Sequence, residues 1–185
     1  MNTPLFIAGP CVIESYELLD TVAKELVRLN RKYHLNIIFK SSFDKANRTS
    51  IYSYRGPGLE KGLQMLHDIK SKYNLDLLTD IHESYQAKPV GEVVDVIQIP
   101  AFLCRQTDLL IAAAKTGRVV NIKKAQFLSG DDMQYPVQKV KESGNGKVWL
   151  TERGNMYGYN NLAVDFRNIA DMKKLCGYGH HGLYA

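Results

Sequence analysis

Short apolar runs recur along the chain, and each is followed by turn residues and then by a helical pattern. Most of these runs are continuously apolar and do not alternate with polar residues, which is typical of parallel β-strands covered on both faces. The pattern predicts six strands, at Leu5–Ala8, Asn36–Lys40, Leu75–Ile81, Val93–Ile99, Val119–Lys123 and Val148–Thr151.

Helical stripes separate these strands. Ser15 and Thr107 are predicted to cap two of the helices, because a side-chain oxygen at the N-cap accepts a hydrogen bond from the first turn. Gly117 is expected to end one helix, and Pro89 predicts that another is short or broken. The predicted helical segments are Tyr16–His34, Leu59–Ile69, Ser84–Glu92, Asp108–Lys115, Pro136–Ser143 and Asn168–Leu175.

Alternating strands and helices, without a repeat or a linker, predict one α/β domain over residues 1–185 with a parallel sheet. Two architectures stay open. A doubly wound sheet fits 185 residues, whereas a (β/α)8 barrel needs eight units and about 250 residues. The Rossmann and Walker A fingerprints are missing, however. The candidate chemistry also follows the C-terminal ends of several strands, which is typical of barrels.

Composition narrows the class of protein. With 45% apolar and 23% charged residues the chain is not disordered. No window approaches 18 uncharged apolar residues, so no membrane span is predicted. No basic segment precedes the apolar stretch near the N-terminus, so we expect no secretion signal and a cytoplasmic location. Three widely spaced cysteines argue against a disulfide framework.

The net charge of +5 leaves nucleic acid, a membrane surface or small anions as partners. No block of five like charges and no basic amphipathic helix occurs. The aromatic–basic interleaving of nucleic-acid binders is also absent. Several lysines and arginines stand instead at the ends of apolar runs. The distribution therefore predicts small phosphorylated ligands, with no nucleic acid and no membrane as partners.

The densest polar segment, Lys40–Ser50, leaves the second predicted strand. It combines two lysines, an arginine and hydroxyl and amide groups that can grip phosphate or carboxylate. Such a segment is often a solvated loop, but Lys40 directly ends an apolar strand, which favours a function. On the third predicted strand, Asp80 and His82 alternate, so both can face one side and bind sugar hydroxyls or move protons.

Two later strands also end in cations. Lys123 and Lys124 follow Asn121, and a buried lysine at a strand end is costly unless an anion pairs with it. The same argument applies to the arginine after the sixth strand. We expect four cations to converge on one small dianion or trianion: Lys40, Lys45, Lys123 and Arg153.

The cysteines carry weaker signals. Cys11 ends the first strand, where a cysteine is more often a small buried apolar residue than a ligand. Cys104 and Cys176 are expected to be structural. Tyr157–Asn161 is predicted to be a turn-rich loop at the border of the site.

Together these stretches resemble the 3-deoxy-D-manno-octulosonate 8-phosphate synthase (KDO-8-phosphate synthase) family, in register from about residue 5 to residue 175. The long block Lys-Ser-Ser-Phe-Asp-Lys-Ala-Asn-Arg is highly specific. The matching pieces are Ala8–Cys11, Phe39–Ser50, Tyr54–Leu59, Thr79–Glu83, Gln98–Asp108, Asn121–Lys124 and Thr151–Asn161.

The resemblance implies a (β/α)8 TIM barrel, of which about the first six β/α units are present. It implies a transferase that condenses phosphoenolpyruvate with D-arabinose 5-phosphate and water, giving 3-deoxy-D-manno-octulosonate 8-phosphate and phosphate for lipopolysaccharide synthesis. The family forms homotetramers.

Residue roles follow from matched positions. For phosphoenolpyruvate the resemblance implies Lys40, Lys45, Gln98, Lys123 and Arg153. For arabinose 5-phosphate it implies Asn47, Arg48, Thr49 (where serine is common), Asp80 and, reaching a neighbouring subunit, Arg105. Its catalytic set is Lys45, Asp80, His82 and Lys123.

Cys11 resembles the metal-dependent branch of the family, because the other branch carries asparagine there. A thiolate suits a borderline-soft divalent ion such as Zn or Fe(II). The resemblance implies a divalent metal of the Zn, Fe or Mn type in the full-length branch, which we expect to be poorly bound here. The remaining ligands, a His, a Glu and an Asp, are missing from this chain.

The likeness stops near Cys176, and Gly177–Ala185 fits no strand of the family. Gly179–Ala185 can be encoded so that a one-base shift reads Val-Ile-Met-Asp-Cys-Thr-His, which looks like the family's seventh strand. We therefore expect a frameshift, and genomic bases without such a reading would exclude it. Because an incomplete barrel leaves two unpaired edges, weak or absent turnover is expected.

Alternatives stay open. The related 3-deoxy-heptulosonate 7-phosphate synthases use erythrose 4-phosphate, although the Lys-Ala-Asn-Arg-Thr-Ser block favours arabinose 5-phosphate. The chain could also be a noncatalytic anion-binding remnant, or a subunit that completes its barrel with a partner.

Overall fold

The computed structural model describes residues 4–176 and the backbone of Leu183–Tyr184. The chain divides into two compact units, the first formed by residues 1–80 and 92–95 and the second by residues 81–91 and 96–185. The first unit contains β1 (Leu5–Ala8), α1 (Tyr16–Tyr33), β2 (Asn36–Lys40), α2 (Leu59–Tyr73) and β3 (Asp76–Asp80).

The three strands of the first unit are parallel and follow one another in chain order. β1 pairs with β2, where Leu5 lies opposite Asn36, and β2 pairs with β3, where Lys40 lies opposite Leu78. Gly9 follows β1 at a close approach of the two backbones, since a Cβ atom there would lie 2.1 Å from the Lys40 carbonyl oxygen. This close approach sets the end of β1 directly against the end of β2.

Caps and apolar stripes explain the two helices. The Ser15 hydroxyl accepts a hydrogen bond of 3.2 Å from Leu18 N, as the sequence predicts. Helix α1 ends at Tyr33, and His34 caps it in the left-handed conformation. On α2 the buried residues lie on one side of the helix, in agreement with the apolar stripe in its sequence. They are Gly62, Leu63, Leu66 and Ile69.

The second unit holds a further set of parallel strands: β4, β5 and β6 pair in that order, and the short β9 lies parallel to β6. A separate antiparallel hairpin is formed by β7 and β8. The elements are α3 (Ala87–Val93, which runs on into the first unit), β4 (Val96–Ile99), α4 (Thr107–Lys115), β5 (Val119–Lys123), α5 (Gln134–Glu142), β6 (Val148–Thr151), β7 (Asn155–Tyr157), β8 (Asn161–Ala163), α6 (Arg167–Cys176) and β9 (Leu183–Tyr184).

All six predicted strands are confirmed, but some boundaries differ. The third strand ends at Asp80, and the fourth begins at Val96 because α3 continues as far as Val93. Pro89 lies in the first turn of α3, where no backbone donor is needed, so it does not break the helix. The helix is short, with 7 residues, as predicted. Thr107 is the first residue of α4 and not its cap; the cap position is Gln106, which makes no side-chain capping bond.

Two further segments depart from the predictions. Tyr157–Asn161 is not a loop alone but the end of β7, a turn and the start of β8, with Gly158 and Asn160 at positive φ. At the far end, the backbone of Leu183–Tyr184 pairs with Leu150 and Thr151, although the sequence predicts no strand there. Residues 177–182 and 185 lie outside the described part, so the frameshift expected for Gly179–Ala185 stays a prediction.

None of the helices in the described ranges is both long and apolar enough to cross a membrane.

Candidate active site

In the first unit, one buried hydroxyl collects three charged side chains at the C-terminal ends of β2 and β3. Ser42 Oγ accepts hydrogen bonds from Lys40 Nζ at 3.0 Å and from Lys45 Nζ at 2.8 Å. It donates its own proton to Asp80 Oδ1. A hydroxyl has one donor and two acceptor positions, so all of its hydrogen-bonding capacity is used.

This cluster carries a net positive charge. Two ammonium groups that share one oxygen lie within a few ångströms of each other, and like charges at that distance repel. The buried Asp80, only 6% exposed, supplies one negative charge against the two positive ones. Lys40 also approaches the Cys11 carbonyl oxygen at 3.4 Å. A dianion placed here would balance the charge and receive charge-assisted hydrogen bonds.

Cys11 lies after β1 and is exposed. It is therefore not the small buried apolar residue that is common at a strand end. A zinc-type site needs three or four ligands that converge. Among the residues that the structure describes, no three His, Cys, Asp or Glu side chains come together as a metal site would require. One thiol does not meet that need, so we derive no step through a metal, and the metal expected at Cys11 stays a prediction.

The loop after β2 carries the residues that the resemblance assigns to the sugar phosphate. It is closed at its base, where Arg55 forms a bidentate pair with Asp44 and the Lys45 N–H donates to the Arg55 carbonyl oxygen at 2.7 Å. The three residues assigned to arabinose 5-phosphate on this loop are exposed. They are Asn47, Arg48 and Thr49.

In the second unit, a row of buried polar side chains crosses β4, β5 and β6. Asn121 Nδ2 donates to Gln98 Oε1 at 3.4 Å, and Thr151 Oγ1 donates to Asn121 Oδ1 at 2.8 Å. Lys123 lies two residues beyond Asn121, on the same face of β5, and is half-buried opposite Thr151. Gln98 and Lys123, both assigned to phosphoenolpyruvate, therefore belong to one polar face.

Beside this row lies an ion pair that is fully buried. Lys124 and Glu152 are 0% and 1% exposed, and Lys124 Nζ lies 3.5 Å from Glu152 Oε1. Burial lowers the pKa of Lys124, while the Glu152 carboxylate opposes that change. The anion that pairs with the buried Lys124 is thus Glu152 of the same chain, whereas the small anion expected at Lys123 stays a prediction.

Arg153 follows Glu152 directly, and its backbone N–H donates to Glu152 Oε1 at 2.9 Å. The Gly154 N–H donates to the same oxygen at 2.6 Å. Arg153 is half-buried. The backbone at Arg153 is therefore fixed by the Glu152 carboxylate, which also pairs with Lys124.

His82 does not alternate with Asp80 on a strand, so that prediction is wrong: β3 ends at Asp80 and His82 lies in the bend that follows. His82 instead lines a shallow groove together with Arg105 and the start of α4. Cys104, expected to be structural, is buried, and burial raises the pKa of its thiol.

The structure thus brings Lys40, Lys45 and Asp80 together in the first unit, and it brings Gln98 and Lys123 onto one face in the second. Convergence of all four predicted cations on one anion stays a prediction. The sequence reasoning missed Ser42 as a site residue, although its spacing of two from Lys40 in extended backbone was an available signal. No sequence signal pairs Lys124 with Glu152, because the two residues lie far apart in the chain.

Comparison with known proteins gives the family. A profile of the DAHP synthetase I family matches residues 2–180. The 2-dehydro-3-deoxyphosphooctonate aldolase of Fusobacterium nucleatum subsp. nucleatum is 57% identical over 170 residues, which cover 92% of this chain and 61% of the relative. The enzyme of that name from Cyanothece sp. is 58% identical over 172 residues, covering 93% of this chain and 63% of the relative. That from Helicobacter hepaticus is 54% identical over 180 residues, covering 91% and 67%.

The chain therefore spans about two thirds or less of the length of these curated relatives. Their greater length removes the argument that 185 residues favour a doubly wound sheet. The fold class is a (β/α)8 barrel, of which β1 to β6 and their helices supply the first six units. The profile match and these identities show that the chain belongs to the DAHP synthetase I family of enzymes and, within it, to the 2-dehydro-3-deoxyphosphooctonate aldolases, also called KDO-8-phosphate synthases.

Proposed function

We propose that this chain provides the phosphoenolpyruvate-binding part of an enzyme that condenses phosphoenolpyruvate with D-arabinose 5-phosphate and water. The products would be 3-deoxy-D-manno-octulosonate 8-phosphate and phosphate. The observation that carries the proposal is the pair of ammonium groups on Ser42, one from Lys40 and one from Lys45. Two cations held around one hydroxyl suit a ligand that carries both a phosphate and a carboxylate.

In the proposed reaction, C3 of phosphoenolpyruvate forms a bond to the aldehyde carbon of the sugar, and the aldehyde oxygen takes up a proton. Water adds at C2, and the resulting phosphohemiketal loses phosphate to leave a ketone. Lys45 and Lys123 would offset the negative charge of the reactants, and Asp80 would accept hydrogen bonds from sugar hydroxyls. Holding both reactants in place would supply a large part of the rate increase.

The chain spans only part of the length of its relatives, so binding and turnover are tested separately. We expect calorimetry to detect binding of phosphoenolpyruvate to the 185-residue chain. Lys45→Gln should raise the Kd about tenfold or more, because one of the two cations is lost. Lys61→Gln, which removes an exposed lysine on α2, is the matched control and should leave the Kd unchanged.

Two results would contradict the proposal: a wild-type chain that does not bind phosphoenolpyruvate, or a Lys45→Gln variant that binds as tightly as the wild type. A phosphate-release assay with both substrates should run beside the calorimetry. Weak or absent turnover is the expectation from the sequence, and a normal rate would refute it while strengthening the proposed function.

The DAHP synthetase I name of the matched profile favours one second candidate, condensation with erythrose 4-phosphate. Phosphate release with the two aldose phosphates, each offered with phosphoenolpyruvate, separates the candidates. We expect the higher kcat/KM with arabinose 5-phosphate, because Asn47, Arg48 and Thr49 match positions that the KDO-8-phosphate synthase resemblance assigns to that sugar. The homotetramer implied by the resemblance stays a prediction.

A further inference from the structure

The fully buried ion pair of the second unit links the loop after β5 to the loop after β6. Lys124 Nζ donates to the carbonyl oxygens of Ala125, Leu128 and Gly154 at 3.2, 3.0 and 3.2 Å. It also contacts Asn155 Oδ1 at 3.1 Å. One ammonium group therefore holds oxygens from both loops, and its charge faces Glu152.

Stability alone is a poor explanation for this pair. Taking two charges out of water is costly, and a buried ion pair can often be replaced by apolar residues without loss of stability. Glu152 Oε1 accepts two backbone hydrogen bonds and faces Lys124, while Oε2 is buried with no hydrogen-bond partner among the described residues. Such a carboxylate is better suited to fixing a geometry than to maximising stability.

The two members of the pair are the chain neighbours of the two cations predicted to bind phosphoenolpyruvate in this unit. Lys123 precedes Lys124, and Arg153 follows Glu152. The backbone is held at both points, because the Lys124 N–H donates to the Thr151 carbonyl oxygen at 2.8 Å and the Arg153 N–H donates to Glu152. The pair therefore connects the chain next to Lys123 with the chain next to Arg153, because Lys124 Nζ also donates to the Gly154 carbonyl oxygen.

We propose that Lys124 and Glu152 are positioning residues, which fix the spacing of Lys123 and Arg153 for one anion without touching it themselves. The proposal rests on the proposed function. Cations that are held in place before the ligand arrives lose less conformational entropy on binding, so the pair raises affinity by preorganisation. Loosening the pair should weaken binding even though both anion-binding side chains remain.

The test is the Glu152→Gln variant of the 185-residue chain, titrated with phosphoenolpyruvate in a calorimeter. The side chain keeps its size and an acceptor oxygen but loses the charge that pairs with Lys124. We expect the Kd for phosphoenolpyruvate to rise about tenfold or more.

Asp95→Asn is the matched control. Asp95 likewise pairs with a lysine, Lys70, at 2.6 Å and accepts a hydrogen bond from a backbone amide, that of Leu77. Both variants should lower the midpoint of thermal unfolding, because each loses a charge from a partly or fully buried pair. Only Glu152→Gln should weaken binding by more than about twofold.

A second variant keeps the proposal testable if Glu152→Gln does not fold. Asn155→Ala removes one oxygen partner of Lys124 but leaves both charges, and it should raise the Kd about threefold. A folded Glu152→Gln or Asn155→Ala variant that binds phosphoenolpyruvate with the wild-type Kd overturns the positioning role. The role is also overturned if Asp95→Asn loses as much affinity as Glu152→Gln. A wild-type chain that does not bind phosphoenolpyruvate overturns the proposed function together with this inference.

Discussion

Ser41 and Ser42 are adjacent, and both are 0% exposed, yet their hydroxyls have opposite surroundings. The Ser42 hydroxyl joins Lys40, Lys45 and Asp80, whereas Ser41 Oγ has no hydrogen-bond partner among the described residues. Extended backbone explains the contrast, because neighbouring side chains point to opposite faces. The Ser42 hydroxyl therefore meets charged groups on one face, and the Ser41 hydroxyl is buried on the other.

We predict that Ser42→Ala lowers the free energy of unfolding by about 1–3 kcal/mol, because it removes the hydrogen bond that the buried Asp80 carboxylate accepts from the Ser42 hydroxyl. Ser41→Ala, the matched control, should change it by less than about 0.5 kcal/mol or raise it slightly, since removing a buried hydroxyl that has no partner costs little. Urea unfolding of both variants measures the difference. Equal losses in the two variants would show that the charged cluster does not depend on Ser42.

At the scale of single residues, the sequence predicts the charged residues of the site. It does not predict the neutral residue that binds them, Ser42. Lys40 and Asp80 stand out because charge at the end of an apolar strand is unusual. Lys45 stands out because it belongs to the dense polar segment that follows Lys40. Ser42 carries only the weaker signal of its spacing of two from Lys40, since serine itself is common in loops and turns. The function of its hydroxyl depends on the register of β2 against β3, which sequence periodicity does not determine.

Helix α6 shows how a charge at one end supports a whole element. Asp165 lies two residues before the helix, and its carboxylate accepts hydrogen bonds from the Arg167 side chain and from the Arg167 backbone N–H. These bonds lower the pKa of Asp165 to about 2, from its ordinary value of 3.8. The negative charge also interacts favourably with the positive end of the helix dipole.

The pH dependence follows from the direction of this shift. Because the pKa of Asp165 is lower in the folded than in the unfolded chain, the folded state gains stability above pH 3.8 and loses it as the pH falls towards about 2. We predict that Asp165→Asn unfolds at a lower temperature than the wild type at neutral pH, and that the gap narrows as the pH drops through this window.

Thermal unfolding over a pH series checks this prediction. Asp171→Asn, which removes a carboxylate further along the same helix, controls for the loss of one surface charge. A gap that stays constant from neutral to acid pH would show that the ionised Asp165 does not stabilise α6.

Elements with a strong apolar period were predictable, and those without one were not. The strands Leu5–Ala8, Asn36–Lys40, Val119–Lys123 and Val148–Thr151 agree with the sequence residue for residue, because each is a short apolar run bounded by polar or turn residues. The hairpin of β7 and β8 was missed, since its residues are mostly exposed and have no apolar period. The sequence predicts Thr107 as a cap, although it is the first residue of α4, because local sequence does not show whether a helix begins at or after a good capping residue.

On the scale of the whole molecule, the family could be identified from sequence because its motifs recur from one end of the matched region to the other. The profile match over residues 2–180 extends a few residues beyond both ends of the region, about residues 5 to 175, in which these motifs occur. The buried pair of Lys124 and Glu152 could not be predicted, because it depends on two loops that meet only after β5 and β6 have paired. Long-range contacts of this kind are the part of the site that a single sequence does not contain.

A ligand that binds the folded chain and not the unfolded one must stabilise the whole molecule. At a phosphoenolpyruvate concentration of about 100 times its Kd, we predict that the free energy of unfolding rises by about 2.7 kcal/mol. Chemical unfolding with and without the ligand measures this value. Inorganic phosphate at the same concentration and ionic strength should stabilise less, because it cannot offer a carboxylate to a second cation while its phosphate is held by the first. If phosphate stabilises the chain equally, the cations of Lys40 and Lys45 attract anions by charge alone and do not recognise phosphoenolpyruvate.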